Sequence, residues 1–146
     1  MKRFYGVIAI VLVFCFVVVS AQQKMMEKKS KMLDAKAELQ KVIEQGKALF
    51  NDPSLGTTGM TCNSCHKGGG TKSSEMKGMK IDPFNNLGTE YPKYFMMAKK
   101  VLTLDQVVNF CITMPLKGKA LGADDPRLTA LVAYCASVRK AKGKKD

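Results

Sequence analysis

The chain has 146 residues, with 24 Lys and Arg against 12 Asp and Glu, a formal charge of +12, five cysteines, one histidine and no tryptophan. That length leaves room for one domain rather than several. The basic excess points to acidic or anionic partners, and a lone histidine with no second Cys/His pair at short spacing excludes a zinc ribbon.

Lys2 and Arg3 precede an uninterrupted apolar run over residues 5–19. The run is short for a membrane span and about right for the core of a signal peptide. Ser20 and Ala21 are small, so residues 1–21 are expected to be a signal peptide cut after Ala21; the alternative is an uncleaved N-terminal anchor. Cys15 lies inside the run behind bulky Phe14, which argues against a lipoprotein signal. Export would place the protein in the periplasm or on the outer face of a bacterial membrane. Nucleic acid is then the wrong partner, membrane contact would need an uncleaved leader, and thiols oxidise unless occupied. Four cysteines lie beyond the leader: Cys62, Cys65, Cys111 and Cys135.

Residues 22–31 read as a polar, Lys-rich, frayed leader, and residues 32–146 as the domain. Met32, Ala35, Leu39, Val42, Gly46 and Leu49 recur at alternating spacings of three and four, with Ile43 and Phe50 widening the stripe. The repeat lasts too few heptads for a coiled coil, so it predicts an amphipathic helix packed on its own domain. Pro53 ends that helix, and Gly56 suits a tight turn.

Residues 67–80 read as an exposed, mobile Gly/Ser/Lys loop, with Met76 and Met79 as surface filler. Residues 82–92 look irregular. Thr103 and Gln106 make a capping box, after which Leu104, Val107, Val108 and Cys111 share a helical face, and Pro115 stops the helix. Lys117-Gly118-Lys119 is a connector. Asp125 caps the last helix, Pro126 fits its first turn, and Leu128, Leu131, Val132, Cys135 and Val138 form its apolar stripe. Residues 139–145 are a basic tail. No β alternation is evident, so the expected fold is all-α, with three to four helices and long loops. Few helices of this size bury little apolar surface, and such a domain needs a staple or a cofactor in its core.

Cys62-x-x-Cys65-His66 supplies one. This is the attachment signature of c-type haem. Two thiols separated by two residues can each add to one vinyl group, and the adjacent imidazole reaches the iron as proximal ligand. A redox dithiol would expect a βαβ context, which is missing. The expected domain is therefore a small class-I-like cytochrome c around one covalently bound haem c, carrying single electrons. The second axial ligand must come from elsewhere. Cys111 and Met114 lead, and Met96 and Met97 trail because nothing around them fixes a sulfur. Two further readings stay open. Cys111 and Cys135 could pair as a disulfide, leaving Met114 on the iron, or Cys135 is simply a small buried hydrophobe. Tyr91 and Tyr94 would pack on the haem edge or in the core. Lys67, Lys72, Lys77 and Lys80 would form a docking rim or a solvated loop.

Tyr91-Pro92-Lys93-Tyr94, Thr103-Leu104-Asp105-Gln106, Asn109-Phe110-Cys111, the stretch from Leu116 through Gly118-Lys119 to Leu121, and Leu131-Val132-Ala133-Tyr134 form a further pattern. Together with the upstream motif it resembles the haem domain of bacterial thiosulfate dehydrogenases and related sulfur-oxidation cytochromes, over residues 45–138. The resemblance implies a haem held by histidine and cysteine, the cysteine matching Cys111, with a thiolate lowering the potential. It also implies a link to sulfur-compound oxidation, with a redox partner such as another cytochrome or a terminal oxidase and a small sulfur anion as ligand. An enzyme or subunit oxidising thiosulfate is the alternative to an electron carrier. Two departures stand out. The family enzymes carry two haem motifs where this chain has one, and they often place an arginine shortly after the cysteine, where Met114 stands here.

Overall fold

A computed structural model describes residues 2–76 and 78–138, with side chains described from residue 22. The expected signal-peptide side chains and the basic tail beyond Val138 lie outside the described residues. The chain divides into two compact units, Met1–Leu39 and Gln40–Asp146.

Helix α1 runs over Lys2–Phe50. Residues 22–31 are therefore helical, not frayed. Lys, Glu, Met and Gln are good helix formers, and Lys31 meets Glu27 at 2.8 Å one turn away. The expected packed stripe is only half realised, because Met32 and Leu39 are 65% and 56% exposed. Burial begins at Val42 and Ile43 and is deepest at Gly46 and Phe50.

The second unit continues with a 3-10 turn, Pro53–Leu55, capped by Asp52, whose carboxylate accepts from the Ser54 amide at 2.7 Å. Gly56 there is extended rather than turned. It is needed for closeness, since a Cβ would lie 2.1 Å from the Leu116 carbonyl oxygen. Helix α2 is Cys62–Cys65, α3 is Leu87–Glu90, α4 is Leu104–Thr113 and α5 is Pro126–Ser137. The domain is not all-α. Strands β1 (Ser74–Met76) and β2 (Met79–Ile81) pair antiparallel, as do β3 (Lys93–Phe95) and β4 (Lys100–Leu102). Three residues per strand are too few to show a period of two in sequence.

Both predicted caps are in place. The Thr103 amide donates to Gln106 Oε1 at 3.1 Å, and the Arg127 amide donates to Asp125 Oδ1 at 2.9 Å. On α5, Leu128, Ala130, Leu131, Tyr134 and Cys135 are buried. On α4 the fully buried residue is Ile112, while Leu104, Val107, Val108 and Cys111 are only half-buried. Phe50, Ile112, Leu116 and Leu131 are the largest fully enclosed side chains, each contributing roughly 1.5–3 kcal/mol.

Asn109 pins the connector after α4. Its Nδ2 donates to the Leu121 carbonyl at 3.0 Å, and its Oδ1 accepts from the Leu121 amide at 2.8 Å. Asn109→Ala is expected to cost about 2 kcal/mol, from two lost bonds and stranded backbone groups. A urea midpoint equal to wild type would show that the clamp contributes nothing.

Candidate haem site

Helix α2 is a single turn held by local bonds. The Thr61 amide donates to Ser64 Oγ at 2.9 Å, and the His66 amide donates to the Cys62 carbonyl at 2.9 Å. Cys62, Cys65 and His66 are thereby presented together, all half-buried.

The loop that follows is ordered. Gly68, Gly69 and Gly70 take φ of 63°, 66° and 86°, a left-handed path that side chains resist. It doubles back so that the Gly70 amide donates to the His66 carbonyl at 2.9 Å and the Gly69 amide to Asn63 Oδ1 at 2.8 Å. The Tyr134 hydroxyl donates to the Gly69 carbonyl at 3.0 Å from α5. A Cβ on Gly70 would lie 2.4 Å from the Phe84 ring. The predicted exposed loop is exposed over most of its described length, but it is folded onto the core at Gly70, which is buried, and its later part pairs as β1 and β2.

The His66 ring packs 4.6 Å from the Phe84 centroid and 6.5 Å from that of Phe50. Burial lowers its pKa, which favours the neutral imidazole. Its Nδ1 is buried and has no hydrogen-bond partner.

All four described cysteines are free thiols, so Cys111 and Cys135 are not paired. Burial pushes Cys62 up to about 11. Burial likewise raises Cys65, against the pull of Lys67. Cys111 is pushed up to about 12, chiefly by burial, with Cys62 and Cys65 close enough to add repulsion. Helix α4 thus places Cys111 within electrostatic reach of Cys62 and Cys65. Cys135, also pushed up to about 12 by burial, feels Cys62 and Cys111. Tyr91 is half-buried within electrostatic reach of Cys111, whereas Tyr94 is 55% exposed. Met114, the C-cap of α4, is 61% exposed, and Met96 and Met97 are 76% and 61% exposed. Met76 is not mere filler, for its sulfur lies 3.4 Å from Cys65 Sγ.

Sequence reasoning missed Phe84, Phe50 and Tyr134 as the setting of the imidazole. For Phe84 the available signal was a lone large apolar side chain in an otherwise polar stretch, which must find cover somewhere.

These residues fit a covalently attached haem. Two free thiols share one helical turn, an imidazole kept toward its neutral form adjoins them, and its buried Nδ1 has no hydrogen-bond partner among the described residues. Fold and site together define a c-type cytochrome domain, a class that implies covalent haem c. The match to the family described as SoxA/TsdA, cytochrome c domain, covers residues 45–143, and the chain belongs to that family. It is 33% identical over 98 residues to the L-cysteine S-thiosulfotransferase subunit SoxA of Rhodovulum sulfidophilum, covering 67% of this chain and 30% of that protein. It is 31% identical over 75 residues to a thiosulfate dehydrogenase of Psychrobacter arcticus, covering 51% and 21%. A thiosulfate dehydrogenase of Allochromatium vinosum is 29% identical over 98 residues, covering 63% and 35%. The chain thus spans about a third or less of the length of these relatives.

Proposed function

We propose that the protein is an exported, periplasmic cytochrome with a single covalent haem c, carrying single electrons in sulfur-compound oxidation, with Cys111 as the second axial ligand. The observation that supports this reading is that Cys111 is half-buried within electrostatic reach of Cys62 and Cys65, while Met114 is 61% exposed. The half-open stripe of Leu104, Val107 and Val108 supports it as well, because a bound prosthetic group would cover such a surface.

When bound, the haem supplies the one-electron iron couple. Cys62 and Cys65 would hold it covalently. His66 offers a neutral imidazole held in place by Phe84 and Phe50. Cys111 presents sulfur from a rigid helix, and a thiolate there would lower the potential. Tyr134 ties the Gly69 segment that follows His66 to α5.

The test is the spectroscopy of the oxidised, haem-loaded protein. A low-spin thiolate-type EPR signal is expected in wild type and in Met114→Leu, and is lost in Cys111→Ala. A weak far-red sulfur-to-iron band that disappears only in Met114→Leu would sink the thiolate assignment.

Membership of a family whose relatives include thiosulfate dehydrogenases supports a second reading, in which the domain is a haem-containing subunit or enzyme oxidising thiosulfate. Thiosulfate-dependent reduction of the haem, alone or with a second cytochrome, would favour it; no reduction returns the protein to the carrier class.

A further inference from the structure

The β1–β2 hairpin is tied to the end of α2 that carries Cys65. Its register gives it two faces, because directly opposed residues of an antiparallel pair point the same way. Ser74 pairs with Ile81 and Met76 with Met79, and Glu75 pairs with Lys80 between them. Ser74, Met76 and Ile81 are half-buried, and Met79, next to the turn, is 53% exposed. Glu75 and Lys80, on the opposite face, are both exposed.

Two contacts join the first of these faces to Cys65. The Ser74 hydroxyl donates to the Cys65 carbonyl oxygen. The Cys65 thiol donates to the Met76 sulfur at 3.4 Å, a weak donor meeting a weak acceptor. One contact holds the backbone of Cys65 and the other holds its sulfur. Cys62 is held differently, by packing against the hydrophobic core. Cys65 is the last residue of α2, and His66 after it has left helical geometry, with φ −95° and ψ 74°. Helix ends fray, and a helix of one turn has no further turn to steady its last residue. Strand β1 supplies the brace that the helix lacks.

We propose that Ser74 and Met76 are positioning residues for haem attachment at Cys65, holding its sulfur where it can meet a vinyl group. In that step the Cys65 S–H adds across the vinyl double bond. Sulfur bonds one carbon, the thiol hydrogen passes to the other, and no net electrons are gained or lost. The hydrogen directed at Met76 is the one spent, so the S–H···S bond exists only before attachment. Met76 therefore acts on the unloaded chain. The inference rests on the reading of Cys62 and Cys65 as attachment thiols and adds what aims the second of them.

The test expresses the full chain together with a c-type haem attachment machinery. Haem-bearing chains are denatured, their free thiols are capped with iodoacetamide, and peptide fragmentation reads Cys62 and Cys65 separately. The alkaline pyridine spectrum is a second readout, moving to longer wavelength when one vinyl group stays unsaturated. Wild type should carry both thioethers. In Ser74→Ala/Met76→Ala the fraction of Cys65 left free should rise about threefold or more, while that of Cys62 stays within about twofold of wild type. A general loss of stability would not favour one thiol over the other. Met76→Leu keeps the volume beside the thiol and should lie closer to wild type than Met76→Ala. Glu75→Gln, on the opposite face, should match wild type. Loss at both thiols alike, or a double variant indistinguishable from wild type, would overturn the proposal and leave the attachment reading standing. A wild type without covalent haem would overturn both.

Discussion

Gly46→Val is expected to unfold the domain. At Gly46 the end of α1 crosses α5 so closely that a single added Cβ would lie 1.9 Å from the Ala130 carbonyl oxygen and 2.7 Å from Tyr134 Cβ. Two of the three nearest atoms are backbone, so no rotamer change makes room. Forcing atoms into a packed core costs roughly 1–3 kcal/mol even where side chains can yield, and more where backbone must move. Against a total stability of about 5–15 kcal/mol, the branched side chain should leave little folded protein, and Gly46→Ala should already lower the melting temperature markedly. Gly122 is the control. Nothing lies within 4 Å of a Cβ there, so Gly122→Ala should stay within about 0.5 kcal/mol of wild type. Similar melting curves for Gly46→Val and wild type would refute the close crossing.

Loss of both attachment thiols should have an equally large effect on the loaded protein. Cys62→Ser/Cys65→Ser removes both covalent links, leaving only axial ligation to hold a haem in a domain of modest core. On a denaturing gel stained for haem, the double variant should show no band, and each single variant a weakened one. The visible spectrum of the native double variant separates loss of attachment from loss of binding. A full-strength haem band after denaturation would mean that these thiols are not the attachment points. Cys135 offers the matched control: it is a buried free thiol in electrostatic contact with Cys62, yet Cys135→Ala should leave the band intact.

Much of the site was legible because its chemistry is local. Cys62, Cys65 and His66 lie within five consecutive residues, and the spacing alone marks them as candidates. Helices α4 and α5 were equally legible, since Thr103 with Gln106, and Asp125 with Pro126, announce their starts through backbone groups that need partners. Legibility ended where long-range contact decides. The hairpins are too short to carry a pattern. Phe84 sits in a polar loop and is buried only because Gly70 leaves space for its ring. The stripe on α1 promised packing from Met32 onward, but an amphipathic pattern records which face is apolar, not how far along the helix a neighbour extends. Cys111 and Met114, one turn apart at the end of α4, both stood as candidates in sequence, with Cys111 favoured by the resemblance. Burial separates them: Cys111 is half-buried within electrostatic reach of Cys62, whereas Met114, the C-cap of α4, is 61% exposed.

The bond from the Tyr134 hydroxyl to the Gly69 carbonyl spans 65 positions of chain. During biogenesis the single turn bearing the two thiols can form as soon as it emerges, because its own bonds reach no further than a few residues. The strap behind it cannot close until the final helix has been made and has docked. The turn bearing the two thiols thus holds its own shape locally, whereas the glycine segment after it depends on a residue of the last helix; Tyr134→Phe would keep the core ring and remove only that tie.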